Sequence, residues 1–448
     1  MKPELKSSSF SLNESYREIL RLAVPNTLSA VTIPLLGMVD MAILGHLETE
    51  VYLNAVAVGG VIFSFIYSLF GFLRMGTSGF VAQYFGQKNA GKQVVTLYRV
   101  LLFAGVAGVI LILLRKPVEF VSFYFMDMSP GVEKYAAEYF RVRIWAAPAS
   151  LGIIGITGWF TGMQNAKAPL YIALLTNVTN AVLSYFLVYH AGYRSDGVAW
   201  GSLAAQYTGF LFALGVLYHS YGHLFKHKYN EILFDWNELK YFLKVNTDIL
   251  IRSVTLMFTF AFMTAASAGF GDVILGVNSI LLQFLMFFAY FVDGLAYAAE
   301  SLSGKYTGAK DKNGFRIMMK NVFRLGWTIA FFFALLYAVA GTGILKLLSD
   351  IPAILNAAGD YRFWVALIPL TSVAAFVYDG IFIGALASRA MRNTLLIATF
   401  LVFLPAFYLF KNILGNHSLW LALNLFMLAR SILLHYYAKK SLIISTDE

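Results

Sequence analysis

The chain has 448 residues, 59% of them hydrophobic and only 13% charged, with a mean hydropathy of +0.68. That composition excludes a soluble domain and describes a protein that crosses a membrane many times. Cysteine is absent, which excludes disulfides, Cys-ligated zinc and iron–sulfur clusters. The formal charge of +10 sits largely in alternate short loops, a pattern of membrane topology and not of nucleic-acid binding.

Residues 1–21 are polar and mixed in charge. They carry no cleavable signal pattern, so the first span is expected to act as the targeting signal. A membrane helix needs about 20 apolar residues. By that measure about twelve spans follow, near 16–45, 51–80, 93–115, 132–160, 166–190, 197–219, 238–268, 272–302, 316–348, 353–382, 390–411 and 417–438. The chain is organised around the first. It contains Pro25 and Pro34, so its backbone is not expected to be one uniform helix, and the two prolines are candidate hinges. It also carries Asp40. A charge in hydrocarbon costs ~2.5–3.5 kcal/mol on insertion scales, so Asp40 reads as a group that takes up and releases a proton while the helix changes shape.

Loop charge sets the orientation. Lys88, Lys92 and Arg99 follow span 2, Lys226 to Lys244 follow span 6, and Lys305 to Arg324 follow span 8. The alternate loops are poor or balanced, as where Arg115 and Lys116 face Glu119 and Glu133. Both termini are therefore expected in the cytoplasm, the chain lying in the cell's inner membrane. The polar break before span 7 divides the spans six and six: an N-lobe at 1–219, a linker at 220–237 and a C-lobe at 238–448. An offset of 222 residues aligns the halves without gaps. It pairs Tyr84 with Tyr306, Gly86 with Gly308, Lys88 with Lys310 and Gly162 with Gly384. Six spans per half preserve orientation, so the repeat is parallel, a transporter plan with a cavity between two lobes.

Polar residues inside the spans are the candidate sites. Asn177, Asn180 and Ser184 share one face of span 5. Asp293 and Asp379 lie within spans 8 and 10, where either would meet cationic cargo or pair with Arg74 as a gate. Glu300 is expected to be solvated at the end of span 8. Met286 lies in the aromatic stretch Gln283 to Phe291, a lipid-facing surface or an adaptable binding wall. His219, His223 and His227 recur at helical spacing, but Lys226 and Lys228 interleave, so an interfacial segment is expected and no metal site. The charges read within the spans are mostly acidic, with Arg74 the main basic exception, a balance that favours cationic cargo.

Two six-helix lobes, the proline-containing span with Asp40, the turn Gly86-Gln87-Lys88-Asn89 and the segment Thr161 to Ala166 together resemble the MATE (multidrug and toxic compound extrusion) family, in its DinF-type branch. The resemblance implies an all-α, twelve-span exporter of bulky, often cationic and aromatic drugs, driven by inward protons or sodium, without cofactor. A monomer is expected. By position it implies a cavity around Asp40 lined by Tyr139, Asn180, Ser184 and Ser202. Some relatives carry a second acid where Ser184 stands, and a sodium-binding branch has an acid in span 7, where Ser253 to Thr264 offers none. Both departures favour protons over sodium.

Other classes fit less well. All seven histidines lie near span ends or in loops, and no Walker A sequence is present, which argues against a membrane enzyme and an ATP-driven pump. The alternative transporter is a flippase for lipid-linked saccharides, which would line its cavity with several Arg or Lys to hold pyrophosphate.

Overall fold

The computed structural model describes residues 12–46, 49–126, 128–226 and 235–443. Twelve helices are long and apolar enough to span a membrane: Asn13–Leu44, Glu50–Gly86, Ala90–Leu113, Pro130–Gly162, Lys167–Tyr189, Ser195–Phe225, Trp236–Ala268, Asp272–Gly308, Lys312–Leu348, Pro352–Gly384, Ser388–Leu414 and His417–Ala438. They are numbered spans 1–12. The face where span 1 begins is called the near face, and the opposite one the far face. His227, together with most of the break before span 7, lies outside the described residues.

Span 1 corrects one expectation. It is a continuous helix, Leu12–Leu44, through both prolines. Each proline deletes one amide, leaving the carbonyls of Arg21 and Ala30 without their usual donors. The helix nonetheless continues across both positions, as hydrocarbon offers no water to replace further lost bonds. The side chain of Pro34 lies outside the described set. Other spans are interrupted instead. Span 2 divides at Phe70 into Glu50–Leu69 and Gly71–Gly86. Span 4 carries a 3₁₀ turn at Ile144–Ala146, and span 11 is π-helical over Ala398–Phe403.

The repeat is visible in the backbone. Lys88 and Lys310 have φ of 55° and 54°, and Gln164 and Leu386 have 60° and 56°. These are left-handed positions, costly for non-glycine residues, and they recur at the 222-residue offset. Asn89 caps span 3 through Lys92, as Asp311 caps span 9 through Gly314.

The same offset builds the crossing of spans 2 and 8 at the near face. Gly86 lies against the carbonyl of Lys305, and Gly308 against that of Gln83. Glycine is required there because the backbones touch. Around this crossing, hydrogen bonds join the lobes. Gln83 donates to the Gly384 carbonyl at 3.0 Å, and Gln164 donates to that of Ser301 at 2.8 Å. Lys305 and Tyr306 reach Glu18 of span 1 at 2.5 and 2.7 Å. Lys92 and Arg99 reach Glu238 of span 7, each at 3.0 Å. All lie toward the near face, so the lobes are clasped there.

Candidate functional site

Asp40 sits four residues, about 6 Å, from the far end of span 1. It is 8% exposed, and its Oδ1 is buried without a hydrogen-bond partner among the described residues. The cation whose field reaches it is Arg143, at the point where span 4 leaves α-helical geometry. Arg143 donates to the Tyr139 hydroxyl and, at 3.3 Å, to the Ser202 hydroxyl. Its guanidinium lies 5.3 Å from the centroid of Phe63. The Asn180 amide donates to Ser202 at 2.7 Å, and Ser184 reaches Asn180 at 3.5 Å. Tyr139, Asn180, Ser184 and Ser202 thus join in one polar chain, in which Arg143 links Tyr139 to Ser202. Asn177 is not in that chain. It donates to the Thr32 carbonyl at 3.2 Å, tying span 5 to span 1.

The C-lobe holds a second charged cluster. Asp379 is bound by Arg252 and, at 2.7 Å, by Arg430, both guanidinium groups meeting one carboxylate oxygen. Asp293 is half-buried within the fields of Arg74, Arg252, Asp379 and Arg430. Arg74 pairs with neither Asp293 nor Asp379. Its Nη1 lies 3.4 Å from Oε1 of Glu300, which the Ser78 hydroxyl also binds. Met286 is half-buried outside this cluster, beside Leu285 and Phe288, which belong to the C-lobe core.

Two expectations are corrected here. Glu300 is fully buried and not solvated, because span 8 continues to Gly308 and the near-face crossing covers it. The acidic surplus inside the membrane is also absent. Arg252 and Arg430 are buried and Arg143 is half-buried, opposite Asp379 and Asp40. The signal was in the sequence. All three arginines fall inside the predicted spans, where a cation is as costly as an acid.

A cavity of about 280 Å³ lies between spans 1, 2, 4, 5, 6 and 8. Its polar lining includes Asn26, Arg74, Asn177, Gln206 and Tyr297, with no carboxylate among the described residues. It sits beside the near-face clasp, whereas Asp40 sits toward the far face.

Twelve spans in two repeated halves, clasped at one face around buried charge, define a two-lobed membrane transporter. The chain belongs to the MatE family, whose profile matches residues 25–186 and 249–409, two copies in agreement with the repeat. It is therefore a transporter and not an enzyme. It is 35% identical to the DNA damage-inducible protein F of Escherichia coli, over 94% of this chain and 91% of that protein. It is 25% identical to a probable multidrug resistance protein NorM of Thermotoga maritima, over 87% and 83%. The fold matches a crystal structure of MATE in the bent conformation with a TM-score of 0.87, at 17% identity and over 97% and 96% of the two chains.

Proposed function

We propose that this protein is a proton-coupled antiporter that exports bulky aromatic drugs or toxins by alternating access, with Asp40 as its protonation switch. The observation that carries the reading is the incomplete bonding of Asp40, a buried carboxylate with one oxygen unsatisfied. Such a group is better matched to one proton than to permanent charge. The field of Arg143 opposes sodium at the same place, which supports protons as the coupling ion. Organic cations are the cargo for which a charged Asp40 is the counter-ion.

With the near face cytoplasmic, as the loop charges favour, the clasped state faces outward. The N-lobe (1–219) and C-lobe (238–448), joined by 220–237, rock about the crossing of spans 2 and 8. Proton arrival at Asp40 removes the charge that holds a cation. Tyr139, Asn180, Ser184 and Ser202 then rearrange with Arg143, and span 1 bends at Pro25 and Pro34, whose missing amides cost nothing further when the helix opens. Asn177 couples spans 1 and 5 during that change. Asp293 and Met286, both half-buried, are the C-lobe's cargo candidates, and Asp379, held by Arg252 and Arg430, anchors that lobe. Proton and cargo bias the same two-state element, which is sufficient for exchange. Both lobes come from one chain, so a monomer suffices.

The test is ethidium efflux from membranes bearing wild type or Asp40→Asn, with pH and sodium gradients imposed separately. A pH gradient alone is expected to drive wild-type export, and Asp40→Asn is expected to reach the membrane yet fail. A sodium requirement, or normal export by Asp40→Asn, overturns the reading.

A further inference from the structure

We infer that Arg74 is a cargo-reading residue: an anionic acceptor on the cargo, of the carboxylate class, captures its guanidinium from Glu300 and so loosens the near-face clasp. This rests on the export reading above. Arg74 lines the cavity between the N-lobe and span 8. Its bond to Glu300 is long, at 3.4 Å, where charge-assisted bonds to carboxylates are typically 2.7–2.9 Å. Its Nη2 is buried with no hydrogen-bond partner among the described residues. The guanidinium lies over the ring of Tyr297, 4.1 Å from the centroid, which holds its plane. A fork of this kind takes a carboxylate through two parallel bonds, and Glu300 accepts only one.

The consequence follows from where Glu300 sits. It stands on span 8, while Arg74 and Ser78 stand on span 2, so their bonds cross from one lobe to the other. Ser78 and Glu300 are repeat mates, 222 residues apart, which places this contact on the axis about which the lobes are related. A carboxylate that takes Arg74 leaves Glu300 with Ser78 alone. By reciprocity, weakening the clasp strengthens the binding of the anion by the same factor. Among the described residues the cavity lining itself holds no carboxylate, so an entering anion competes with Glu300 and Asp293, which stand behind Arg74.

The test is binding of fluorescein, an aromatic carboxylate, and of ethidium, an aromatic cation, to the purified full chain, followed by fluorescence anisotropy. Arg74→Gln is expected to weaken fluorescein by about ten-fold or more and not to weaken ethidium, because it leaves Glu300 without its cation. Glu300→Gln frees Arg74 and is expected to tighten fluorescein, which keeps the inference testable where Arg74→Gln does not fold. Fluorescein binding by Arg74→Gln equal to wild type, or no tightening in Glu300→Gln, overturns the inference. So does wild-type protein that exports ethidium but binds no fluorescein, an outcome that leaves the export reading standing. Absence of efflux of either dye overturns the export reading itself.

Discussion

On the alternating-access reading, the crossing of spans 2 and 8 belongs to the state closed at the near face, so overfilling it should shift the conformational equilibrium. A Cβ on Gly86 would overlap the Lys305 carbonyl oxygen and lie 2.7 Å from the Ala309 nitrogen and 2.9 Å from the Lys305 carbonyl carbon. Ordinary contact begins at 3.4 Å, so relieving the Ala309 nitrogen alone takes about 0.7 Å (3.4 less 2.7), and the overlapped Lys305 oxygen takes more, in a close-packed interior. Gly308→Ala meets the Gln83 backbone in the same way, with its carbonyl carbon at 2.7 Å. Overpacking of this kind costs about 1–3 kcal/mol per site. Borne by the closed state alone, that is a shift of about 5- to 150-fold toward the near-open state. The native chain has no cysteine, so a single Thr157→Cys in the cavity reports access cleanly. Labelling by an impermeant maleimide from the near side should accelerate by at least five-fold in Gly86→Ala. Gly60→Ala, on the same span with open space around its Cβ, should not change it. Equal labelling of Gly86→Ala and wild type, with both folded, would refute the claim that the lobes part at this crossing.

Three further outcomes are expected. Pro25→Ala with Pro34→Ala restores both missing amides and should slow pH-driven efflux without lowering the unfolding temperature; undiminished efflux removes the hinge. Arg143→Gln should abolish the response of efflux to a pH gradient while ethidium still binds, measured in the same vesicles as Asp40→Asn. Asp379→Asn leaves Arg252 and Arg430 facing each other in the C-lobe core and should destabilise the fold by about 3–5 kcal/mol, read as a lower thermal transition of the purified protein.

The sequence made the architecture legible because its signals are long and repeated. Twelve apolar runs are hard to mistake, and the 222-residue offset predicted positions that prove to share left-handed backbone, caps and glycine contacts. What was missed is local or three-dimensional. The continuous helix through Pro25 contradicted the expected break because one lost amide does not outweigh the remaining bonds in hydrocarbon. Span 2 divides at Phe70 next to Gly71, one glycine among several within the spans, which alone does not mark a break. Arg143, Arg252 and Arg430 stand within the predicted spans, where a cation is as costly as an acid, yet Arg74 is the one basic residue the composition of the spans singles out. Glu300 was misplaced because the apolar run ends before the helix does. Arg143 stands four residues beyond Tyr139 on span 4, a helical spacing that points to it, but only the packing of spans 4 and 6 brings it to Ser202.

Bonding separates the buried acids into two kinds. Asp379 receives two guanidinium groups on one oxygen, a pairing whose disruption strands buried charge, and it is best understood as an anchor of the C-lobe. Asp40 and Glu300 each keep one buried oxygen without a hydrogen-bond partner among the described residues, Oδ1 in the first and Oε2 in the second. An unsatisfied buried oxygen costs about 1–3 kcal/mol, and a proton, a cargo group or a rearranged neighbour relieves it. These two acids lie toward opposite faces, one in the N-lobe and one on the lobe boundary. The repeat mate of Glu300 is Ser78, and that of Asp40 is Phe262. On the proposed cycle, the symmetric glycines would supply the movement common to both lobes. The acids without symmetric counterparts would supply its direction, since only an asymmetric set of charges makes one end of such a cycle answer to a proton and the other to the clasp.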